Sequence, residues 1–228
     1  MEPTSGLHDY LAPGVHVDSD HPLVVDFAKR HAAGAATPRE IAVKLFYAVR
    51  DEVRYDPYRI DLSSAGMKAS RCLELGYGFC ITKAALLAAV IRVHGIPTRL
   101  AFADVRNHMT SERLLATMGT DIFAFHGNAD IWLDGRWVKA TPAFNLSLCQ
   151  KAGTHPLEFD GVADSIFHPF DIAGRRHMEY VRDRGHFADI PLDTLAAVFD
   201  EVYPADVAWK KPPTHGAQFE NEVRTTVC

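Results

Sequence analysis

The sequence predicts an α+β fold in which one buried helix is followed by an antiparallel sheet. Nearly every residue between Lys83 and Arg92 is apolar, which is typical of a helix that is buried on most sides. Segments with strand-like composition and alternation follow this helix. The dipeptide Asp134-Gly135 separates two of these segments and is a strong signal for a two-residue hairpin turn. The strands on either side of it are therefore expected to run antiparallel.

Capping signals predict the helices that come first in the chain. An early helix is expected over residues 22–33. The pattern Thr37-Pro38-Arg39-Glu40 is a capping box with proline at the first helical position, and apolar residues recur at helical spacing behind it. This pattern predicts a second helix over residues 38–53. A short third helix over residues 68–75 is closed by Gly76. We expect the first two helices to serve as scaffold.

The central helix lies in the stretch GYGFCITKAALLAAVIRVHG, residues 76–95. Gly76 and Gly78 precede Cys80, which falls in the first turn of the helix. Gly95 closes the helix, and Pro97 follows shortly after it. The sequence thus places a cysteine at the beginning of the most buried helix of the core.

Three strands are predicted after the central helix, over residues 98–105, 123–133 and 136–140. Beyond Asn145 the signals weaken until residues 191–203, where apolar residues recur at helical spacing. The chain is therefore expected to form one domain over residues 1–209.

Within that domain, a core of about residues 38–145 has an N-terminal helical flank, residues 1–37, and an extension or lid, residues 146–209. Residues 210–228 form a polar tail. We interpret residues 156–191 as a lid or insert whose charged groups face water and which could supply substrate contacts. No pair of histidines in it has the His-x-x-x-His spacing of a helical zinc site, so no metal is expected.

Composition and charge exclude several classes of protein. The 228 residues are 47% hydrophobic and 23% charged, which is typical of a globular domain. A net charge of -5 gives no basic surface for nucleic acid or an anionic membrane, so neither is an expected partner. The N-terminal residues lack the features of a secretory signal, and we expect a cytoplasmic protein. The four cysteines are sparse and form no Cys-x-x-Cys pair, which predicts free thiols.

Cys80 is the candidate nucleophile. The positive end of a helix dipole and a nearby imidazolium both favour the reactive thiolate form of cysteine. Gly76 and Gly78 would let the backbone approach a substrate closely, and amides of the first helical turn could bind an oxyanion. The alternative is inert packing, because free cysteine is among the most buried residue types. That alternative is the expectation for the other three cysteines, Cys72, Cys149 and Cys228.

His126 is the candidate base. A cysteine nucleophile needs a base within hydrogen-bond reach, normally histidine, and a third group that orients the imidazole ring. Among the twelve histidines, His126 lies on a predicted strand that follows the central helix. Alternation puts His126, Asn128 and Asp130 on one face of that strand. A polar strand face turned toward the start of the helix would suit a catalytic site.

These motifs resemble those of the transglutaminase-like superfamily over about residues 38–145. The family pattern has Gly-x-Cys at a helix start, Arg-x-x-Gly-Ile-Pro-x-Arg at the helix exit, a histidine on a strand, and Asp-Pro on the next strand. The matching residues are Gly78, Cys80, Arg92, Gly95, Ile96, Pro97, Arg99, His126, Trp137 and Pro142. The resemblance implies a papain-like α+β core in which the cysteine-bearing helix packs against an antiparallel sheet.

The sequence departs from this pattern where the orienting acid is expected. The family usually reads Asp-Pro-Thr-x-Asn after the tryptophan, whereas this chain reads Thr141-Pro142-Ala143-Phe144-Asn145. A threonine hydroxyl can accept a hydrogen bond from the imidazole but carries no charge to stabilise an imidazolium. Three alternatives are open: Thr141 is a weaker orienter, another acid such as Asp130 or one from the C-terminal segment reaches the ring, or the site is inactive. We favour the first, because papain-like sites tolerate a neutral orienter.

The function predicted on this basis is cysteine-dependent acyl transfer. Cys80 attacks an amide or ester carbonyl to form a thioester, His126 moves the proton, and Thr141 orients His126. Gly78 and Tyr77 are candidates for oxyanion binding and support. A peptide or protein amide is the expected substrate, and peptidase-like or amidase-like hydrolysis is favoured over transamidation.

No cofactor is expected, and the sequence contains no calcium loop. The alternative function is an inactive transglutaminase-like protein that uses the same cleft to bind a peptide or partner. The Thr141 substitution motivates this alternative, and the intact pair of Cys80 and His126 weighs against it.

Overall fold

The computed structural model describes residues 6–204 and Phe219. The central helix, α4 (Cys80–Arg92), is buried at every position. Its two charged residues serve neighbouring elements: the Lys83 ammonium donates hydrogen bonds to the carbonyl oxygens of Arg50 and Val53. Burial lowers the pKa of Lys83 to about 7. Arg92 donates to the carbonyl oxygens of three separate segments, those of Ala12, Thr98 and Ala188. The charges on α4 therefore satisfy backbone groups that the core buries.

Three helices surround α4 on the side away from the sheet. They are α1 (Pro22–His31), α2 (Pro38–Glu52) and α3 (Ala69–Leu75), and each contacts α4. The predicted capping box is present, since Thr37 Oγ1 accepts the Glu40 N–H and Glu40 accepts the Thr37 N–H. Gly76 ends α3 with a left-handed φ of 65°, which favours glycine. The N-terminal part of the chain follows its capping signals closely.

The main sheet has four strands in the order β5-β4-β3-β6, with every neighbouring pair antiparallel. The strands are β3 (Thr98–Asn107), β4 (Ile122–Leu133), β5 (Arg136–Ala140) and β6 (Met178–Phe187). The hairpin at Asp134-Gly135 is confirmed, and both of its residues have positive φ. A second, two-stranded parallel sheet joins β1 (Arg54–Tyr55) to β2 (Tyr77–Gly78), directly ahead of α4. The fold is therefore α+β, with α4 packed against an antiparallel sheet.

The strand β6 is the largest element that the sequence did not predict. It lies within the segment interpreted as an extension or lid, yet it pairs with β3 along most of its length. Most of its residues are exposed because it is the edge strand of the sheet. An exposed edge strand has no apolar face to bury, and its sequence MEYVRDRGHF consequently lacks the alternation that predicts a strand. Part of the predicted extension therefore belongs to the sheet itself.

Three more helices are α5 (Glu112–Met118), α6 (Leu146–Ala152) and α7 (Leu192–Val202). The last matches the predicted helix over residues 191–203, whereas α5 and α6 were not predicted. Phe219 packs against the rings of Tyr55 and Tyr58, with ring centroids 5.8 and 5.7 Å apart. The rest of the predicted polar tail and Cys228 lie outside the described residues. Within the described part of the chain, no helix has the length and apolarity needed to cross a membrane.

Candidate active site

Cys80 is the first residue of α4 and faces a pocket that is open to solvent; about 360 Å³ of space free of protein atoms, including that open solvent, lies in it. Only 7% of the residue is exposed. Burial raises the pKa of the Cys80 thiol to about 11, although the N–H groups of Gly127, Ile81 and Cys80 itself act to lower it. The sequence analysis expected the helix dipole to favour the thiolate, whereas burial of the sulfur acts in the opposite direction. Desolvation of the sulfur outweighs the nearby amides, so the resting group is a neutral thiol.

Gly127 brings the beginning of α4 against strand β4, one residue from His126. A Cβ built on Gly127 would lie 3.2 Å from Ile81 Cα and 3.1 Å from Phe102 Cε1. Both distances are shorter than ordinary contacts, and the first involves the backbone of α4. A side chain at position 127 would therefore push the helix start away from the strand. The sequence analysis did not single out this glycine, although its place between His126 and Asn128 on a strand was a usable signal.

His126 is 3% exposed and stands in apolar surroundings. Its ring packs against Phe167 with centroids 4.7 Å apart and against Tyr180 at 6.5 Å. Burial lowers the pKa of His126 to about 3, so the imidazole is neutral at physiological pH. Its Nε2 atom has no hydrogen-bond partner within the described part of the chain. The ring is thus uncharged and carries a buried nitrogen, Nε2, that no described group satisfies.

A β-bulge immediately before His126 sets the course of the strand. Ala103 pairs with His126 and Val105 pairs with Phe123, so two residues of β4 face Asp104 alone. Phe125 has a φ of 55°, a left-handed value that is uncommon for a bulky residue. Its N–H donates to Asp104 Oδ1 at 3.1 Å.

Arg184 completes the bulge from the neighbouring strand. It binds both Asp104 oxygens, with nitrogen–oxygen distances of 2.7 to 3.1 Å. Its guanidinium also lies over the Phe125 ring, 5.3 Å from the centroid. Phe125, the strained residue beside His126, is therefore held by the Asp104 carboxylate, which Arg184 of β6 holds in turn.

Thr141, the residue at the position of the missing acid, is 1% exposed. Its N–H donates to the Ser165 carbonyl oxygen at 3.0 Å, which ties the end of β5 to the segment after α6. Its hydroxyl oxygen has no partner in the described chain. Burial raises the pKa of Tyr180 to about 12, and the nearby Thr141 hydroxyl acts to lower it, although the two hydroxyls do not meet hydrogen-bond geometry. The Thr141 hydroxyl is therefore a buried polar group with unused capacity, as is His126 Nε2.

Tyr180 and Phe167 are site residues that the sequence analysis missed. Both come from the region beyond Asn145, where the sequence signals are weak. Tyr180 is 38% exposed, but its hydroxyl accepts the Phe167 N–H at 3.4 Å. The two side chains cover the His126 ring. The pairing of β6 with β3 brings Tyr180 to this place, and Phe167 comes from the segment before β6.

Asp130, the alternative orienting acid, is engaged elsewhere. Its carboxylate accepts Asn128 Nδ2 at 2.8 Å and forms ion pairs with Arg99 at 3.2 Å and His186 at 3.1 Å. Burial acts to raise the pKa of Asp130, but His186 and Arg99 bring it below its usual range. These three interactions of the Asp130 carboxylate join three strands of the sheet. None of the three involves His126.

The two support candidates occupy different surroundings. The Tyr77 ring is stacked by Arg59, whose guanidinium carbon is 5.1 Å from the centroid. A Cβ on Gly78 would lie 2.6 Å from both Cys72 Sγ and Thr82 Oγ1, so this glycine permits close packing ahead of α4. Neither residue lines the pocket at Cys80, whereas Tyr55 does. Their role in oxyanion binding stays a prediction.

The pocket at Cys80 is apolar. It lies between the segment after β1, the end of α5, the beginning of β4 and the end of α7. Its lining residues are Tyr55, Pro57, Ile60, Phe79, Cys80, Met118, Phe123, Ala124, Phe199 and Tyr203. The Tyr203 hydroxyl accepts the Ala124 N–H at 2.7 Å and donates to the Ile122 carbonyl oxygen at 3.3 Å. Across residues 6–204 and Phe219, no cluster of three or more His, Cys, Asp or Glu side chains could hold a metal ion.

A family model described as the transglutaminase-like superfamily matches residues 25–142, just over half of the chain. Among curated proteins, none matches the sequence significantly. One similar solved structure is a presumed cysteine protease from Cytophaga hutchinsonii, which is 13% identical with a TM-score of 0.49. The match covers 81% of this chain and 55% of that one.

Two other solved structures are also similar. Red sea bream transglutaminase is 16% identical with a TM-score of 0.46, over 98% of this chain and 46% of that one. A presumed protease from Parabacteroides distasonis is 18% identical with a TM-score of 0.39, over 62% of this chain and 26% of that one. The chain thus spans about half the length of the first two structures and about a quarter of the third.

Proposed function

Because the chain belongs to the transglutaminase-like superfamily, we propose that it is a cysteine-dependent acyl-transfer enzyme with Cys80 as its nucleophile. The observation that carries the proposal is the placement of Cys80. Its thiol lies at the start of a buried helix, opens into a pocket, and has the Gly127 N–H close to its sulfur, one residue from His126. A cysteine that only filled the core would need neither the pocket nor the histidine.

Both members of the pair are uncharged at rest, so the proton moves during the attack. The Cys80 sulfur attacks the carbonyl carbon of an amide, and a carbon–sulfur bond forms as the thiol proton passes to His126. The carbon–nitrogen bond then breaks, and His126 gives that proton to the departing amine. A thioester remains on Cys80. Water or a second amine attacks it with His126 again as base, which regenerates the thiol.

Donors in the pocket would stabilise the oxyanion. The Cys80 N–H lies at the helix start, and Tyr55 lines the same pocket. Burial raises the pKa of Tyr55 well above its usual value, so its hydroxyl keeps the proton it would donate. Thr141 is proposed to orient His126 through its unpartnered hydroxyl. Asp130, in contrast, has its carboxylate held by Arg99 and His186.

The test is acylation by p-nitrophenyl acetate, followed by peptide mapping to locate the acetyl group. We expect a burst of p-nitrophenol and an acetyl thioester on Cys80. His126→Ala should slow acylation about 100-fold or more, which is the lower end of the contribution of a general base. Cys149→Ala is the matched control, because Cys149 is equally buried but lies on α6. Adding a primary amine and measuring its acetylated product would show whether the thioester undergoes transamidation as well as hydrolysis.

A noncatalytic binding protein is the second candidate, favoured by the raised pKa of Cys80 and the uncharged residue Thr141. It predicts that Cys80 is acylated no faster than a model thiol of equal pKa. It also predicts that His126→Ala has no effect on the acylation rate. Either result would remove the enzymatic proposal.

A further inference from the structure

We infer that the acyl group transferred by Cys80 carries an apolar or aromatic chain, which the pocket beside the thiol receives. This inference rests on the proposed function and names the substrate class of the same site. None of the ten residues that line the pocket has an aspartate, glutamate, lysine, arginine or histidine side chain. Apart from Cys80, all are aromatic or apolar, and two of them are tyrosines that also carry a hydroxyl. A pocket of this kind gains free energy by removing apolar surface from water.

The polar side-chain atoms of the lining are few, and the Tyr203 hydroxyl is already engaged. The Tyr203 hydroxyl accepts the Ala124 N–H and donates to the Ile122 carbonyl oxygen. An acyl chain ending in a carboxamide would therefore lose its water and find few partners there, which would weaken its binding.

A carboxylate at the end of the acyl chain would be disfavoured further. The nearest ionisable lining groups, Cys80, Tyr55 and Tyr203, all have pKa values raised by burial, which shows that the pocket disfavours negative charge. The same environment would raise the cost of a carboxylate bound there. Neutral apolar acyl chains are the class that remains.

The substrate class can be tested with three p-nitrophenyl esters that differ only in the acyl chain. They are the acetate, the 3-phenylpropanoate and the 4-carbamoylbutanoate. In each case the new carbon–sulfur bond replaces the ester carbon–oxygen bond, and p-nitrophenolate leaves. Rates of Cys80 acylation are divided by the rate of each ester with N-acetylcysteine, which removes intrinsic reactivity. We expect the phenylpropanoyl ester to be at least about 10-fold faster than the carbamoylbutanoyl ester after this correction.

Two variants should remove this preference and one should not. Ala124→Leu reduces the room in the pocket, and Ile60→Asn places an amide in its partly buried wall. Ile41→Asn is the matched control, because Ile41 is also partly buried against the core but lies on α2, outside the pocket. If Ala124→Leu fails to fold, Ile60→Asn still decides the question. The control should retain the preference of the parent protein.

The outcomes separate the inference from the function on which it rests. Acylation of Cys80 by all three esters in proportion to their intrinsic reactivity, or fastest by the carbamoylbutanoyl ester, would overturn the substrate class and leave acyl transfer standing. Failure of every ester to acylate Cys80 faster than a model thiol would overturn the proposed function together with the inference. A preference that persists in Ile60→Asn would move the acyl-binding site away from this pocket.

Discussion

At the residue scale, the proposed site combines a thiol with an imidazole, and burial favours the uncharged form of both. The pKa of Cys80 is raised to about 11 and that of His126 is lowered to about 3. Both shifts have the same cause, because a charged group loses its hydration when it is buried. The reactive thiolate therefore has to be formed while the proton moves to the base. Thr141 contributes no charge that would stabilise the resulting imidazolium.

Restoring an acid at position 141 should favour the charged pair. In Thr141→Asp, a carboxylate near the imidazole would raise the pKa of His126, and the resulting imidazolium would lower that of the Cys80 thiol. We expect the pH midpoint of Cys80 alkylation by iodoacetamide to fall by at least about one unit from its value near 11. Thr141→Val removes the hydroxyl without adding charge and should not lower the midpoint. An unchanged midpoint in Thr141→Asp would show that residue 141 does not act on the pair.

At the element scale, the bulge in β4 connects the sheet to His126, the proposed base. Phe125 has a left-handed conformation, and its N–H donates to the Asp104 carboxylate. Arg184 on β6 binds that carboxylate in turn. The strain of such a residue persists because its surroundings hold it in place. Gly127 follows two residues later and admits the start of α4. A bulge and a glycine thus flank His126 on either side.

Loosening the bulge should act on Cys80 through His126. Asp104→Asn keeps an acceptor for the Phe125 N–H but removes the charge that holds Arg184. We expect slower acylation of Cys80 in Asp104→Asn. The double variant with His126→Ala should be no slower than His126→Ala alone, because Asp104 would act only through the position of His126. Asp171→Asn is the control, since Asp171 is also buried and paired with an arginine, Arg175, but lies outside the bulge. If Asp104→Asn slowed acylation by the same factor with His126 present and with His126→Ala, Asp104 would support the fold without positioning His126.

At the scale of the whole molecule, the fold buries neutral histidines in the region that covers the site. His126 lies on β4, and His177 lies beside β6 with a pKa lowered to about 4, again by burial. The unfolded chain would protonate both near pH 6.5. Between about pH 4 and 6.5 the unfolded state therefore binds more protons than the folded state. Stability rises with pH in this window and is lost as the pH falls through it.

The protein should accordingly be sensitive to mild acid. Each of these histidines is expected to remove about 2 kcal/mol from the free energy of unfolding between pH 7 and pH 5. Urea denaturation at the two pH values measures this loss. His177→Gln should reduce it, whereas His155→Gln should not, because His155 is exposed. An equal loss in the parent and His177→Gln would contradict the assignment of His177 as a buried neutral group.

The sequence by itself determined the class of fold and the order of the core elements. Capping signals, helical periodicity and the Asp134-Gly135 turn are local, so they act on the chain within a few residues and can be read without the tertiary structure. The α+β fold with a buried helix against an antiparallel sheet is confirmed, as is the resemblance to the superfamily. The position of Cys80 at the start of that helix also follows from local signals.

Only the tertiary structure decided the environment of the site. The strand β6 pairs with β3 from about 70 residues away, and it brings Tyr180 and Arg184 to the site from a region with no strand alternation. Burial raises the pKa of Cys80 against the direction that the helix dipole favours, because desolvation depends on every group packed around the sulfur. Sequence neighbours set where a helix begins, whereas the burial of its first residue is set by segments distant in the chain.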